Sequence, residues 1–502
     1  MGRSPMGLPA AATIVAVAYV LNAGFDAGVQ PATIVRPLLI ATAAGIALTA
    51  LLVAATRSRD LGGLLAVVAV LAFLGAGAAG TLVTRAHPVQ VAVWLTLVAV
   101  ALLLAIRIVR RLLGSGQLPR STTTNTLSLL LLGVVAVPGL IGWVSASIPT
   151  AEPPAAPAAP AAGGDMLLVI LDGYPRADIL ERYFAFDNRP FLDELEARGF
   201  VVSEGAQSNY AWTELTLLSM LHMEHAAEID AFSDRAIGSE SQPWLRELTA
   251  ANPVFAVARE AGYEIATIAT SIDHVTLTSA DTVLTPPGPS DFEGHLMRST
   301  ALAGAISLAD PDWFASWQRD QVLWGFDALT RLASTPGIGR LIVAHVLSPH
   351  MPAVLNEDGS LRPVAFDEDF HADFRALTDI ARDEWRDAFV GQLQYVNRRA
   401  LEAVDRIIAA NPRTDVVVMS DHGTGSSYRP DATGSHAEER YSTLFASRTP
   451  GIENPFSDDQ APVNVFQRWF NARLGTDLPD RPNTAYAGYL DLVPLSLDAS
   501  SR

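Results

Sequence analysis

Five long apolar stretches dominate the first 148 residues of the chain. They cover residues 8–23, 37–55, 61–83, 89–109 and 126–144, and each is close to the roughly 20 apolar residues that a helix needs to cross a bilayer. With the N-terminus in the cytoplasm, the cytoplasmic segments carry seven arginines, and the opposite side carries only Arg36 and Arg85. This asymmetry satisfies the positive-inside rule. Because the number of spans is odd, the rest of the chain is predicted to lie outside the cytoplasm.

The spans are predicted to form an anchor or a platform for a lipid substrate. None of them contains the charge pair within the membrane that a transporter would need. They are followed by a linker at residues 149–164, which is rich in proline and alanine and is therefore expected to be extended. The predicted domains are a five-helix transmembrane domain (1–148), this linker, and an extracytoplasmic catalytic domain (165–502).

Beyond the linker, short apolar runs alternate with amphipathic helical patterns. A continuous apolar run at 166–171 predicts a strand that is buried on both faces. Helices predicted at 253–261, 319–333 and 383–410 each lead into a strand, at 263–270, 341–347 and 415–420 respectively. This alternation is typical of a doubly wound α/β domain with a largely parallel sheet.

Composition excludes several classes of function. The formal net charge is −18 and the chain contains no lysine, so nucleic acid is not an expected partner. There is also no cysteine, which excludes disulfides, thiolate zinc sites and a cysteine nucleophile.

Metal-binding residue types follow two of the predicted strands. Asp172 comes directly after the strand at 166–171, and Asp421 and His422 follow the strand at 415–420. An aspartate at a strand end is also a common turn or cap residue. In parallel sheets, however, ligands collect at the carboxyl ends of the strands, and two carboxylates with an imidazole suit Zn²⁺ or Mn²⁺.

Thr213 is the candidate nucleophile. It lies where a helix is predicted to begin, beside backbone N–H groups that favour a phosphate or sulfate anion. The alternative is that Thr213 only caps the helix. Thr216 and Ser219 are predicted to be packing residues inside the same helix. His274 follows a predicted strand end and is a further candidate for contact with the substrate.

The ordered motifs LDG, NYxxTxxxxLS, AHxxSPHxP and SDHG resemble those of the alkaline phosphatase and sulfatase superfamily. Residues 165–490 are most similar to its membrane-bound branch, which includes lipoteichoic acid synthase and phosphoethanolamine transferase. The resemblance implies that Asp172, Thr213, Asp421 and His422 surround one divalent metal, Zn or Mn, and that Thr213 is the nucleophile. It also implies that His350 and His436 contact the substrate or hold a second metal. His345, inside a strand, is predicted to be structural.

The chain departs from true sulfatases at the nucleophile. These enzymes process a Cys or Ser in a C/S-x-P-x-R motif, whereas the corresponding segment here is Thr213-Glu-Leu-Thr. We therefore expect a phosphodiester transferase or hydrolase of the plasma membrane that acts on an envelope lipid head group or glycan polymer. The alternatives are a sulfatase-like hydrolase of envelope glycans and a catalytically inactive envelope-assembly protein with the same fold.

Overall fold

The computed structural model describes residues 9–26, 29, 31–75, 164–233, 243–335, 339–362, 379–425 and 435–495. Contacts divide the chain into two compact units. The N-terminal unit comprises Met1–Thr150 together with Pro289–Trp313, and the C-terminal unit comprises Ala151–Gly288 together with Phe314–Arg502. The predicted linker lies almost entirely outside the described residues, and the predicted domain boundaries stay a prediction.

The described elements are numbered here in chain order. The helices are α1 Pro9–Asp26, α2 Pro31–Thr56, α3 Arg59–Leu74, α4 Ala177–Phe184, α5 Arg189–Ala197, α6 Thr213–His222, α7 Asp230–Ser233, α8 Pro243–Ala250, α9 Pro253–Glu260, α10 Asp291–Arg298, α11 Leu302–Ala309, α12 Trp313–Ser334, α13 Asp379–Ala410, α14 Ser435–Tyr441 and α15 Val465–Leu474. The strands are β1 Met166–Leu171, β2 Val201–Val202, β3 Glu264–Ile268, β4 Thr282–Leu284, β5 Arg340–Val346, β6 Asp415–Met419, β7 Phe445–Arg448, β8 Ala485–Ala487 and β9 Val493–Leu495.

Helices α1 to α3 fall on the first three predicted spans. Within the described residues, one stretch, Ala32–Thr56, is long and apolar enough to cross a membrane. The apolar stretches Ala10–Gly24 and Leu61–Leu74 are shorter. Large apolar side chains on α2, such as Leu39 and Ile40, are exposed. The predicted spans at 89–109 and 126–144 lie outside the described residues.

A seven-stranded mixed sheet forms the centre of the C-terminal unit. Its strand order is β2-β7-β6-β1-β5-β3-β4. The five strands from β6 to β4 are parallel to one another, and β7 is antiparallel to both of its neighbours. The prediction of a largely parallel sheet in an α/β domain is therefore confirmed, and the antiparallel β7 is an addition to it.

Side chains of the central strand β1 are buried on both faces of the sheet. Leu167, Val169 and Leu171 belong to a core that also contains residues of α4, α5, α12 and α13. The intervening side chains, among them Leu168 and Ile170, belong to a second core with residues of α6, α9 and α15. Strand side chains alternate between faces, so a sheet covered by helices on both sides requires the continuous apolar run seen in the sequence.

The three predicted helix-to-strand units are present with small shifts of their bounds. Helix α9 leads into β3, α12 leads into β5, and α13 leads into β6. Because β6, β1 and β5 are neighbours and parallel, their carboxyl ends meet at one edge of the sheet. This edge carries the candidate site.

Candidate metal centre and nucleophile

The carboxyl ends of β1 and β6 bring three predicted residues together. Asp172 follows the last residue of β1, and Asp421 and His422 lie just beyond β6. All three side chains are buried. His422 Nε2 lies 3.3 Å from Asp421 Oδ2 and 3.6 Å from Asp172 Oδ1. The structure therefore places the His422 imidazole between two carboxylates. One belongs to the adjacent residue, Asp421, and the other to Asp172, about 250 residues earlier in the sequence.

The orientation of the His422 ring follows from one hydrogen bond. Its Nδ1 lies 2.9 Å from the carbonyl oxygen of Gly423, and since a carbonyl oxygen can only accept, Nδ1 must be the donor. In the neutral ring, Nε2 then carries a lone pair that faces the carboxylates. Burial, together with the positive charge of Arg440, lowers the pKa of His422 to about 4. His422 is therefore neutral at pH 7 and able to bind a cation.

Thr213 is the first residue of α6, and its hydroxyl faces the same point. Thr213 Oγ1 donates to Asp421 Oδ2 at 2.6 Å and lies 3.2 Å from His422 Nε2. The residue that caps the helix is Trp212, which has extended backbone angles and makes no side-chain capping bond. The alternative that Thr213 acts as the helix cap is therefore wrong.

These side chains fit a divalent cation. Asp172 Oδ1 is buried and accepts no hydrogen bond within the described part of the chain, although such an atom normally has a partner. Asp172, His350 and His422 each offer a ligand atom, and these atoms lie within 4.8 Å of one another. The same holds for Asp172, His345 and Asp421. Oxygen and imidazole nitrogen donors of this kind suit Zn²⁺ or Mn²⁺.

His345 belongs to the site, although the sequence predicted only a structural role for it. Its Nε2 is 2.8 Å from Asp172 Oδ2. Burial disfavours the charged carboxylate, but His350 and His345 outweigh this effect and hold the pKa of Asp172 far below its usual range. Burial likewise opposes a charge on His345, yet its hydrogen bond to Asp172 raises the pKa of the imidazole. His345 is thus a donor that orients the Asp172 carboxylate.

His350 lies at the edge of the same cluster. Its Nδ1 donates to the Met351 carbonyl oxygen at 2.7 Å. The ring centroid lies 5.9 Å from that of His422. Gly173 has a φ of +71°, and a Cβ there would lie 3.4 Å from His350 Cα. The glycine of the LDG motif therefore provides the left-handed turn, and a Cβ at this position would meet His350 at ordinary van der Waals distance.

The turn that carries Asp421 and His422 is fixed by hydroxyl groups. Ser420 Oγ donates to the His422 carbonyl at 2.6 Å, and Ser208 Oγ donates to the Asp421 carbonyl at 2.5 Å. Thr216, fully buried in α6, donates to the same Asp421 oxygen at 3.2 Å. The glycine of SDHG packs so closely that a Cβ at Gly423 would lie 2.1 Å from the Glu439 carbonyl oxygen. Ser219, the other residue that was predicted to pack inside this helix, is also fully buried.

Arg440, on α14, joins the two halves of the site. Its Nε donates to the Ala211 carbonyl at 2.8 Å, two residues before Thr213. Its Nη1 donates to the Gly423 carbonyl at 3.0 Å, one residue after His422. The Gly423 N–H in turn donates to the Arg440 carbonyl at 2.7 Å. The role of Arg440 could not be predicted, because nothing in the local sequence indicates which carbonyl groups its side chain meets.

The two remaining predicted histidines differ in what the structure describes. His274 Nε2 lies 3.0 Å from Oε1 of Glu214, the residue after Thr213, and its side chain is 48% exposed. Burial opposes the charge of Glu214, but the bond to His274 lowers the pKa of this carboxyl. His274 therefore contacts the neighbour of the nucleophile candidate. His436 lies at the second position of α14, and its side chain falls outside the described residues.

Known proteins resemble this chain in structure but not measurably in sequence. No protein-family model matches it, and no curated protein matches it. The C-terminal periplasmic domain of EptC from Escherichia coli is similar, with 14% identity and a TM-score of 0.44, over 69% of this chain and 99% of that domain. The 2-O GAG sulfatase BT1596 has 14% identity and a TM-score of 0.43, over 63% of this chain and 72% of its own. The lipoteichoic acid synthase LtaP from Listeria monocytogenes has 14% identity and a TM-score of 0.36, over 67% and 77%.

These solved structures come from the same enzyme classes that the sequence motifs resemble. Their likeness to this chain is low at the level of both sequence and coordinates, and it says nothing about substrate. The chemistry of the site therefore rests on the geometry described above.

Proposed function

We propose that the chain is a membrane-anchored, metal-dependent phosphoryl transferase or hydrolase that acts on a phosphodiester through Thr213. The observation that carries the proposal is the position of Thr213 Oγ1, 2.6 Å from Asp421 Oδ2 and 3.2 Å from His422 Nε2. A hydroxyl held against a carboxylate and a neutral imidazole, at the start of a buried helix, is suited to nucleophilic attack.

The residues of the chain have separable roles in this proposal. Asp421 accepts the hydroxyl hydrogen of Thr213 and so directs a lone pair of Oγ1 away from itself, towards the phosphorus. Attack forms a bond between Thr213 Oγ1 and phosphorus and breaks the bond to the leaving-group oxygen, which departs as an alcohol with the proton that Thr213 gives up. Water or an acceptor hydroxyl then attacks the threonine phosphoester, gives up its own proton and returns the Thr213 hydroxyl. His350, whose ring lies beside that of His422, contacts a non-bridging oxygen of the phosphoryl group. Asp172, Asp421 and His422 would hold the cation, which lowers the pKa of the Thr213 hydroxyl and neutralises charge on the phosphoryl oxygens.

The choice of phosphoryl over sulfuryl chemistry rests on the identity of the nucleophile. Formylglycine is made from Cys or Ser and cannot be made from Thr213.

The substrate is proposed to be a lipid head group or a glycan polymer of the cell envelope, because the N-terminal unit contains apolar helices. The proposed arrangement has five spans, with the N-terminus in the cytoplasm and the catalytic unit outside. The arginines at the turn between α2 and α3, Arg57 and Arg59, support this orientation.

Substitution of Thr213 tests the proposal. Thr213→Ala is expected to reduce turnover of bis-p-nitrophenyl phosphate by at least about a thousandfold, as does loss of other catalytic nucleophiles. Thr213→Ser, the matched control, keeps the hydroxyl and should retain part of the activity. Mass spectrometry of the wild type after an acid quench should find a phosphoester on the peptide that contains Thr213. Retained activity in Thr213→Ala would remove the nucleophile assignment.

The same assay separates the alternatives. Faster cleavage of p-nitrophenyl sulfate than of the phosphodiester would favour a sulfatase-like hydrolase. Failure to bind metal, together with no turnover of either substrate, would favour an inactive envelope-assembly protein.

A further inference from the structure

The segment Pro289–Trp313 belongs to the N-terminal unit, although in sequence it interrupts the C-terminal one. It contains the two short helices α10 and α11 and lies in the chain between β4 and α12. The polypeptide therefore leaves the catalytic unit after Gly288, joins the unit formed by α1 to α3, and returns at Phe314. An insertion of this kind requires contacts that hold it there.

Helix α10 is fixed to α1 and α2 by polar and apolar contacts. Arg36 of α2 forms a two-pronged ion pair with Glu293 of α10, and one of the two hydrogen bonds, from Nε to Oε1, measures 2.5 Å. The hydroxyl oxygens of Tyr19 and Ser299 are 2.9 Å apart. Phe292 is buried in a cluster with side chains from α1 and α2. These contacts place a specific face of α10 against the apolar helices.

Helix α11 follows directly and is apolar on all sides. The backbone N–H of Ala301 donates to the carbonyl of Phe73, near the end of α3, at 3.0 Å. The eight residues of α11, LAGAISLA, contain one polar side chain, and none of the eight is buried. Leu308 is 76% exposed. A helix of eight residues is about 12 Å long, which is too short to cross a bilayer.

All of these contacts lie at one end of the three-helix group. Tyr19 is in the second half of α1, Arg36 is in the second turn of α2, and Phe73 is near the end of α3. Arg57 and Arg59 lie at the opposite end, where α2 passes into α3. If that arginine-bearing end is cytoplasmic, α11 emerges at the outer surface of the membrane, next to the exposed apolar side chains of the same helices.

We propose that α11 is an interfacial helix embedded in the outer leaflet of the bilayer. The exposed side chains of α11 contact lipid in this proposal, because the helix continues the exposed apolar surface of helices that are themselves proposed to span the membrane. Transfer of these exposed apolar side chains out of water, into the boundary between head groups and acyl chains, is favourable. This inference rests on the proposed membrane anchoring, and α11 gives that anchoring a second attachment from within the catalytic sequence.

Depth-dependent quenching in the full chain tests the inference. The chain contains no cysteine, so a single cysteine can carry an environment-sensitive fluorophore without removal of any native thiol. Leu308→Cys reports on α11. Ile46→Cys, in α2 and 58% exposed, is the control for the membrane span, and Val493→Cys, in β9 and 61% exposed, is the control for the catalytic unit. The protein is reconstituted in phosphatidylcholine and phosphatidylglycerol vesicles that carry nitroxide quenchers at shallow or deep positions.

The expected result is quenching of Leu308→Cys mainly by the shallow nitroxide and of Ile46→Cys mainly by the deep one, with no quenching of Val493→Cys. If Leu308→Cys is in water while Ile46→Cys is quenched, the inference is overturned and the membrane anchor stands. If Ile46→Cys is also in water, the proposed anchor itself fails. A blue-shifted Leu308→Cys label that neither nitroxide quenches would indicate a protein partner and would also overturn the inference.

A charge exchange tests how α11 is positioned. In the Leu308→Cys background, Arg36→Glu and Glu293→Arg should each weaken shallow quenching at least twofold, because like charges then face each other. The two substitutions together should restore the quenching. Unchanged quenching in both single variants would show that the ion pair does not position the helix.

Discussion

At the scale of single residues, the site depends on which ring nitrogen of each histidine carries hydrogen. His422 and His350 donate from Nδ1 to a neighbouring carbonyl oxygen, so the neutral form of each ring carries its lone pair at Nε2. His345 directs Nε2 to Asp172 instead and orients that carboxylate. Residues that orient ligands in this way contribute to metal affinity without touching the metal.

Loss of His345 should therefore weaken metal binding. We expect His345→Gln to lower the affinity for Zn²⁺ by about 10- to 100-fold, the range found for such orienting partners, as measured by isothermal titration calorimetry. His222→Gln is the control, since His222 is likewise a histidine with a hydrogen-bonded Nε2, 2.8 Å from the Leu248 carbonyl oxygen, but lies outside the cluster. Equal affinities for His345→Gln and the wild type would assign His345 to packing alone.

The pKa of His422 predicts how metal affinity depends on pH. An ordinary histidine, with a pKa of about 6.5, starts to lose a bound cation to protons below that pH. Because burial and Arg440 lower the pKa of His422 to about 4, its ring stays neutral on acidification to about pH 5. Affinity for Zn²⁺ should thus change little between about pH 7 and 5, and should fall about tenfold per unit below about pH 4.

Competition with a chromophoric chelator across this pH range measures the effect. Arg440→Gln removes the nearby positive charge and should move the onset of the loss to a higher pH. A wild-type onset near pH 6.5 would contradict the proposed environment of His422.

At the scale of secondary-structure elements, Arg440 determines how the start of α6 and the turn after β6 fit together. Its guanidinium bonds the Ala211 carbonyl on one side and the Gly423 carbonyl on the other. This bridge acts together with the direct hydrogen bond from Thr216 of α6 to the Asp421 carbonyl oxygen.

Arg440→Ala should lower kcat about 100-fold, because small displacements of reacting groups have effects of this size, and should change KM less. Arg182→Ala is the matched control, since Arg182 pairs with Glu438 on the same helix α14 but does not reach the site. Thermal unfolding of both variants separates a positioning role from general destabilisation. A kcat equal to that of Arg182→Ala would rule out the positioning role.

At the scale of the whole molecule, the cluster of acceptor atoms couples metal binding to stability. The buried Asp172 Oδ1 has no hydrogen-bond donor within the described chain, so a bound cation would stabilise the folded state. At a free metal concentration of about 100 times Kd, this stabilisation amounts to about 2.7 kcal/mol.

A chelator should lower the melting temperature and abolish turnover, and Zn²⁺ or Mn²⁺ should restore both. Asp421→Asn, which lacks one ligand charge, should show a smaller shift, and an equal shift would place the metal elsewhere.

Much of the C-terminal unit could be predicted from local sequence. The helix-to-strand units that end in β3, β5 and β6 were predicted because the spacing of apolar residues and the length of each apolar segment are local properties of the sequence. Asp172 and Asp421 could be placed at one edge because parallel strands end on the same side. His345 could not be placed there. Its approach to Asp172 depends on the register of β1 against β5, in which Ile170 pairs with His345, and on which face of β5 it occupies.

The sequence by itself determined the apolar helices, the parallel α/β unit and the residue types at its carboxyl edge. Each of these depends on the spacing of apolar and polar residues over a short stretch of the chain. Only the tertiary structure decided that Thr213 Oγ1 faces Asp421, that Arg440 joins two carbonyl groups, and that Pro289–Trp313 packs with the N-terminal helices. The physical reason is that these are contacts between segments far apart in the chain, and their geometry depends on how whole elements pack.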